Sequence, residues 1–476
     1  MSLYKDLHAF YVQCTCNGMA RLSRTSRRLC SYKVLPLAVL FCMCVILAVL
    51  ILHLTVVLEA EDTFNDGREG IEEGETVQKD VESGNVEEVI KLESLKDEAK
   101  KVFDNRPPEL INNRDCQVRN FVFIKCMKCA TETMGTILRR FALKNKLSVL
   151  LPRGLNIYLG WPYMMESSDY RPSSSPSGYR YYNCLIEHAI YNASVMKALF
   201  PHQTRFISII REPWSHFKST FNYFNMQKLA HIVSDTPLST YLQDINTYEK
   251  IYKSPEAASY RYCIPDGFSV TKNLMCHCLG MKTGFPEGTA DISKNTRAVQ
   301  DFLNWTENEF ALIMIAEYFH ESLVLLKRMM CWTMKDIIYK RVNSAKYKYE
   351  ENDGDRAIHE RWSRADYQMY NFFNESFWEK VIYQGKTFNQ EVQVFTRIQN
   401  SVNVFCNFST DPSAKVDAMF NVTKDILSIP TTKFSLDFTF TQDDCELLSS
   451  DLLSTLKEQH EENIKYEDKD PPKRTC

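Results

Sequence analysis

The stretch Arg119–Arg140, RNFVFIKCMKCATETMGTILRR, decides how this chain reads. An apolar, β-rich run, Phe121-Val-Phe-Ile124, stops at two lysines, Lys125 and Lys128. Small and hydroxyl residues follow (Ala130, Thr131, Thr133). A helical pattern then puts Met134, Ile137, Leu138 and Phe141 on one face. A strand, a tight basic turn and a helix start together form a phosphate cradle. Backbone N–H groups and the positive end of the helix dipole face an anion, lysine adds charge, and hydroxyls add donors. In isolation the segment also reads as an ordinary strand–loop–helix with solvated lysines.

A second segment, Arg205–Phe224 (RFISIIREPWSHFKSTFNYF), repeats the arrangement. The run Phe206–Ile210 ends at Arg211, and Pro213 stands where the first turn of a helix tolerates it. Ser219 falls about two helical turns beyond Arg211. Functional residues of parallel sheets gather just past the carboxyl ends of the strands. Two basic strand ends in one domain therefore imply a ligand with phosphate at both ends. A buried strand with a surface arginine is the plainer reading.

These segments resemble a known family. Lys125-Cys-Met-Lys128-Cys-Ala-Thr-Glu-Thr133 is similar to the K-T-H-K-T-A-S-S-T segment of the galactose-3-O-sulfotransferases, the galactosylceramide sulfotransferase type among them. Arg211-Glu-Pro213 through Ser219-Thr-Phe221 resembles their R-D-P-x-x-x-F-x-S-S-F. Further along, Ala316–Arg328 with Cys331-Trp332 resembles E-Y-F-D-E-S-L-V-L-L-R-R-x-x-C-W. Trp362–Tyr370 and Phe372–Trp378 resemble W-N-x-x-D-x-x-L-Y and H-F-N-x-S-F-W. The ordered set spans roughly Asn120 to Val381.

The resemblance implies an α/β, P-loop-like sulfotransferase fold with a central parallel sheet, similar to nucleotide kinases. It implies 3′-phosphoadenosine 5′-phosphosulfate as co-substrate, no metal, and a galactosyl glycolipid or glycan as acceptor. Carried over by position, Lys125 and Lys128 belong to the donor site, with Lys128 at the 5′-phosphate and bridging oxygen. Thr131 and Thr133 match hydroxyl donors, and Arg211 and Ser219 match ligands of the 3′-phosphate. Sulfuryl transfer develops charge on leaving and equatorial oxygens, so positioning and cations dominate its catalysis. His188, in Glu187-His-Ala-Ile-Tyr-Asn192, matches the histidine of H-M-R-[FY]-N and is the candidate base. Read without the family, it is a histidine in a β-to-α connection satisfied by backbone.

The chain departs from the pattern at Glu132, Met127 and Cys129, where the family has a hydroxyl, a histidine and a threonine. A carboxylate beside two phosphates repels them unless it pairs with a lysine. Pairing of Glu132 with Lys125 is expected. Ala189 and Ile190 replace a larger apolar residue and an arginine.

Val34–Leu58 is uncharged apart from His53 and long enough to cross about 30 Å of hydrocarbon. Arg21, Arg24, Arg27, Arg28 and Lys33 precede it, and Glu59, Glu61, Asp62 and Asp66 follow. The charge asymmetry predicts a single-pass type II membrane protein. Residues 1–33 form the cytosolic tail, 34–58 the anchor, 59–115 an acidic stem, 116–390 the sulfotransferase domain and 391–476 a C-terminal extension. A Golgi location with a luminal catalytic domain follows from the family and the topology. Five sequons, at Asn192, Asn304, Asn374, Asn407 and Asn421, lie after the anchor. Eleven of the sixteen cysteines also follow it, where disulfides form. Cys263, Cys276, Cys278 and Cys331 are a candidate disulfide cluster. Cys276-His-Cys278 lacks zinc-site spacing. Cys126 and Cys129 form a C-x-x-C, which elsewhere reads as a redox motif.

A net charge of −3 gives no case for a nucleic-acid partner. A homodimer is left open. Strands are expected at 120–125, 205–211 and 312–317, and helices at 131–144, 214–228, 321–330 and 365–371. Phe434–Phe440 alternates like a strand, residues 443–465 read as one helix, and the tail from Tyr466 reads as disordered. A short amphipathic helix is expected at Val89–Val102. The Ser/Pro-rich loop Ser167–Gly178 is ringed by Tyr158, Trp161, Tyr163, Tyr179, Tyr181 and Tyr182, which either stack on a sugar or pack in the core. Two rivals share the topology. One is a glycosyltransferase using Asp353-Gly-Asp355, although no apolar strand precedes that segment. The other is an inactive relative that keeps the fold.

Overall fold

Four consecutive apolar residues, Phe121–Ile124, have no exposed surface and form β1, the middle of a sheet. A run buried on both faces is the mark of a parallel strand covered by helices. The computed structural model describes residues 116–154, 157–173, 181–254, 264–341 and 349–464. The expected anchor, stem, Val89–Val102 helix and tail from Tyr466 lie outside the described residues. Among the described residues no helix is long and apolar enough to cross a membrane.

From β1 the chain enters α1 (Thr131–Lys144), β2 (Val149–Leu150), β3 (Cys184–Leu185), α2 (Ala193–Leu199) and β4 (Arg205–Ile210). Helices α3 (Pro213–Tyr223), α4 (Met226–Leu229), α5 (Pro237–Gln243), α6 (Ile245–Lys253), α7 (Leu274–Cys278) and α8 (Thr296–Glu309) follow. Then come β5 (Leu312–Ile315), α9 (Phe319–Met330), α10 (Asp355–Trp362), α11 (Arg364–Ile382) and α12 (Thr387–Phe405). The last segments are β6 (Asn421–Val422), β7 (Ile426–Ile429), β8 (Phe438–Thr441), α13 (Gln442–Leu447) and α14 (Leu452–Ile464).

Five strands pair all-parallel in the order β2-β3-β1-β4-β5. The chain runs outward from β1 to β2, returns to β3, then crosses β1 to reach β4 and β5. Winding therefore reverses around β1, and a crevice opens beyond the carboxyl ends of β3, β1 and β4. Phe121 anchors the sheet edge-on against Phe141 of α1 and Trp332. Each such buried aromatic contributes roughly 1.5–3 kcal/mol. The β6-β7-β8 sheet is antiparallel, with β7 against α12, while α14 packs on α1.

The three long strands stand where the sequence put them, slightly shortened. Leu312–Ile315 stops early because a 3₁₀ turn at Ala316–Tyr318 takes over. The expected helix 214–228 breaks at Asn225, which adopts left-handed φ 53. The helix expected at 365–371 runs on to Ile382. The single helix expected at 443–465 is two, because Asp451 restarts it by accepting from Ser454 N at 3.3 Å. Of Phe434–Phe440, only the end from Phe438 joins the sheet, extending to Thr441.

The disulfide cluster is corrected. Cys331 bonds to Cys116, and Cys406 to Cys445. Cys276 and Cys278 are unpaired and buried, and Cys263 lies outside the described residues.

Candidate functional site

The turn after β1 folds back without glycine. Lys128 (φ 62) and Ala130 (φ 57) are both left-handed, which costs on the order of 1–3 kcal/mol each and persists only under external restraint. The restraint is visible. His216 Nε2 donates to the Met127 carbonyl at 2.9 Å, Arg211 Nη1 to the Lys128 carbonyl at 3.3 Å, and Ser208 Oγ to the Ile124 carbonyl at 2.8 Å. The turn's carbonyls are thereby tied from behind. Ala130 offers no side-chain cap to α1, so the positive end of the helix dipole faces the turn without a capping side chain.

Arg211 ends β4, and Glu212 caps α3 by accepting from Trp214 N (3.0 Å) and Ser215 N (2.7 Å). Ser219 lies on α3, and Tyr223 lies one turn further along the same face. Lys128 Nζ rests 4.0 Å from the centre of the Tyr223 ring. Burial, and then the neighbouring Arg211, lower the Lys128 pKa. Among the described residues neither cation has an ion-pair partner.

His188 follows β3, and its Nδ1–H donates to the Lys125 carbonyl at 2.8 Å. That bond fixes the tautomer and leaves the Nε2 lone pair free. Burial, and then the charge of Lys125, drop its pKa from 6.5 to about 3. The imidazole is neutral at physiological pH.

Lys128, Thr131, Thr133, His188, Arg211 and Ser219 line one cavity of about 700 Å³. Lys125 does not line it. Its side chain turns beneath the cradle, 1 % exposed, and meets Glu132 Oε2 at 2.8 Å and Glu187 Oε2 at 3.3 Å. Arg139 closes the cluster. It binds Glu187 with two bonds, at 2.6 and 2.8 Å, and Glu132 Oε1 at 2.8 Å. Two cations thus face two carboxylates. Partial burial pushes the Glu132 pKa up, but Lys125 and Arg139 outweigh it and hold the carboxyl at about 2. The Glu132–Lys125 pair expected from sequence is present, and the carboxylate charge at the cradle is offset.

The aromatic ring around Ser167–Gly178 divides. Tyr158 and Trp161 stack on each other at 5.4 Å and are buried, as is Tyr182. Tyr181 is exposed, and Tyr179 lies outside the described residues. The three buried rings are core, not a sugar platform. Cys126 and Cys129 are buried, with thiol pKa values pushed up mainly by burial, so the C-x-x-C has no thiolate character. Asp355, from the Asp-Gly-Asp of the glycosyltransferase alternative, is buried and accepts from Ser239 Oγ and Asn352 N. Among the described residues no group of three His, Cys, Asp or Glu is placed to hold a metal ion.

Asn304, Asn407 and Asn421 are exposed. Asn192 is half-buried and caps α2, with Oδ1 accepting from Val195 N at 3.4 Å. Asn374 sits mid-helix in α11 with a buried Oδ1. The sequence reading missed Tyr223 and the wall beyond Arg211, built from Glu317, His320, Tyr339, Arg341 and Thr396. His320 lies inside a recognised motif, but nothing local marks Tyr339 or Thr396.

The switch point of this parallel α/β sheet thus carries two cations that have no ion-pair partner among the described residues and a helix start without a side-chain cap, an arrangement able to accept an anion. Residues 89–421 match the family model described as Galactose-3-O-sulfotransferase, and the chain belongs to that family. It is 30% identical to galactosylceramide sulfotransferase of Homo sapiens over 279 residues, which is 56% of this chain and 59% of that protein. It is 27% identical to galactose-3-O-sulfotransferase 2 of Sus scrofa over 270 residues, 56% of this chain and 62% of the relative. With galactose-3-O-sulfotransferase 3 of Homo sapiens the identity is 29% over 272 residues, 56% and 57% of the two chains. The chain thus spans about three fifths of the curated relatives it matches.

Proposed function

We propose that the protein transfers a sulfuryl group from 3′-phosphoadenosine 5′-phosphosulfate to a galactose hydroxyl, the 3-hydroxyl, of a glycolipid or glycan. We read it as a type II Golgi membrane protein with this domain in the lumen and a P-loop-like sulfotransferase fold. One observation carries the reading: Lys128, Thr131, Thr133, Arg211, Ser219 and His188 meet in one cavity at the ends of β1, β3 and β4. The donor's anionic groups fit two cations that lack ion-pair partners among the described residues, and a helix start without a side-chain cap.

The donor brings the sulfuryl group on its 5′-phosphate. Lys128, Thr131, Thr133 and the start of α1 hold that phosphate, while Arg211 and Ser219 hold the 3′-phosphate. The acceptor hydroxyl gives its proton to His188 Nε2. As the acceptor oxygen bonds to sulfur, the bridging S–O bond breaks, and its electron pair stays on the 5′-phosphate oxygen beside Lys128. The donor's negative charge favours the imidazolium and so raises the His188 pKa when the donor binds. Tyr223 holds the Lys128 ammonium ready at the cavity edge.

The test is transfer of labelled sulfate by the full-length protein in detergent to a panel of galactosides. Wild-type transfer abolished by Lys128→Ala is expected. Transfer untouched by Lys128→Ala would end this mechanism. A silent wild type rescued by Glu132→Ser would instead identify an inactive relative.

A further inference from the structure

The cavity continues past Arg211 to a wall with no role so far. Phe319 and His320 come from the start of α9, Thr396 from α12, and Tyr339 and Arg341 from the segment between them. Hydrogen counting fixes its polarity. The Thr396 hydroxyl donates to the Val392 carbonyl at 2.9 Å, so its oxygen accepts from His320 Nδ1 at 2.8 Å. Burial lowers the His320 pKa, so the ring is neutral and Nε2 carries a lone pair. That lone pair takes the Tyr339 hydroxyl hydrogen at 2.9 Å. A phenol has one hydrogen to give, so Tyr339 Oη meets any ligand as an acceptor. Gln399 clamps the Tyr339 backbone on both sides, accepting from its N–H at 3.0 Å and donating to its carbonyl at 2.7 Å. The Phe319 ring lies edge-on to Tyr339 at 5.0 Å.

Strand order says which part of a ligand arrives here. His188 lies beyond β3, the cradle beyond β1, Arg211 beyond β4, and this wall beyond β5. An acceptor hydroxyl must meet the sulfuryl group near His188, at the opposite end. A ribose anchored through its 5′ and 3′ phosphates at β1 and β4 has one arm left, the base. Resting on the donor assignment made above, we propose that this wall reads the base of the nucleotide. Tyr339 Oη accepts from an exocyclic amine, and His320 and Thr396 hold Tyr339 in the accepting orientation. A 6-amino purine is therefore favoured over a 6-oxo purine, whose carbonyl would face a second acceptor.

The experiment compares binding of adenosine 3′,5′-bisphosphate and inosine 3′,5′-bisphosphate to the full-length protein by calorimetry. The two share charge and nearly the same shape, but inosine has a 6-oxo acceptor in place of the 6-amine and an N1–H in place of the N1 lone pair. Wild type should prefer adenosine about tenfold, as expected for one matched against one mismatched polar contact. Tyr339→Phe should shrink the preference to about twofold or less, with weakening by Arg211→Ala retained, and Thr396→Val should erode it part way. Unchanged melting of each variant controls for folding. No preference in wild type, or an undiminished preference in Tyr339→Phe, overturns the proposal. A changed galactoside KM with unaltered nucleotide binding overturns it in favour of an acceptor wall. If neither bisphosphate binds wild type, the donor assignment falls with it. Phosphate-dependent binding without base discrimination sinks the base-reading wall alone.

Discussion

Glu187→Gln tests the four-charge cluster beneath the cradle. Glu187 is 1 % exposed and takes two bonds from Arg139 and one from Lys125. Neutralising it leaves two buried cations facing Glu132, whose side chain is 41 % exposed. Removing one partner of a buried ion pair costs about 3–5 kcal/mol. In a domain this large that lowers the melting temperature on the order of 4–7 °C. The pH dependence supplies a second signature. Burial pushes the Glu187 pKa up, but Arg139 and Lys125 outweigh it and hold the carboxyl well below the usual range. A depressed carboxyl stabilises fully above its unfolded pKa, about 4.3, and the contribution fades as pH falls through the folded value. The gap between wild type and variant should be constant above about pH 5 and narrow below it. Calorimetric melting across that range is the assay. Glu187→Gln/Lys125→Met, which restores one cation to one anion, should recover part of the loss. A melting change under about 1 °C at neutral pH, or a gap that persists in acid, would refute the account.

Arg211→Ala should weaken adenosine 3′,5′-bisphosphate by roughly ten- to a hundredfold, from about 1.5–3 kcal/mol for a charge-assisted contact, and leave adenosine 5′-phosphate nearly unchanged. Equal losses for both would remove Arg211 from the 3′-phosphate. Nitrogen NMR of histidine-labelled protein, assigned with His188→Gln, should show the ligand-free ring neutral and Nδ1-protonated at pH 5.5, since its pKa is about 3. A midpoint near 6.5 would contradict the buried, Lys125-facing environment. Glycan occupancy by mass spectrometry should be higher at exposed Asn304, Asn407 and Asn421 than at Asn374, whose Oδ1 is buried. Full occupancy at Asn374 would contradict its placement in α11.

The sequence exposed the central strands because each is a long apolar run ended by a charge. Val149–Leu150 and Cys184–Leu185 are too short to carry a period, and they are strands only through their parallel neighbours. Lys128 and Arg211 were legible as strand-end cations. Lys125 read the same way, yet its side chain turns beneath the cradle, because Glu132 of α1 and Glu187, 62 residues away beyond β3, meet it there. His320, Tyr339 and Thr396 meet across three elements, and no local pattern records that meeting. The partner of Cys331 was likewise hidden by a separation of 215 residues.

That separation sets a schedule for biosynthesis. Cys116 emerges just before the central strand, but its partner follows 215 residues later. At about 5–20 residues per second, roughly 10–40 s pass in which the thiol waits. Over that interval β1 has none of its eventual neighbours until β3 and β4 are made, and Cys126 and Cys129 are the nearest thiols able to capture Cys116. Both end up reduced and sealed in the core of the finished molecule. The native pairing therefore depends on the cradle turn burying its own cysteines, or on an isomerase reversing the early bond. The earliest part of the domain to be synthesised is among the last to be secured.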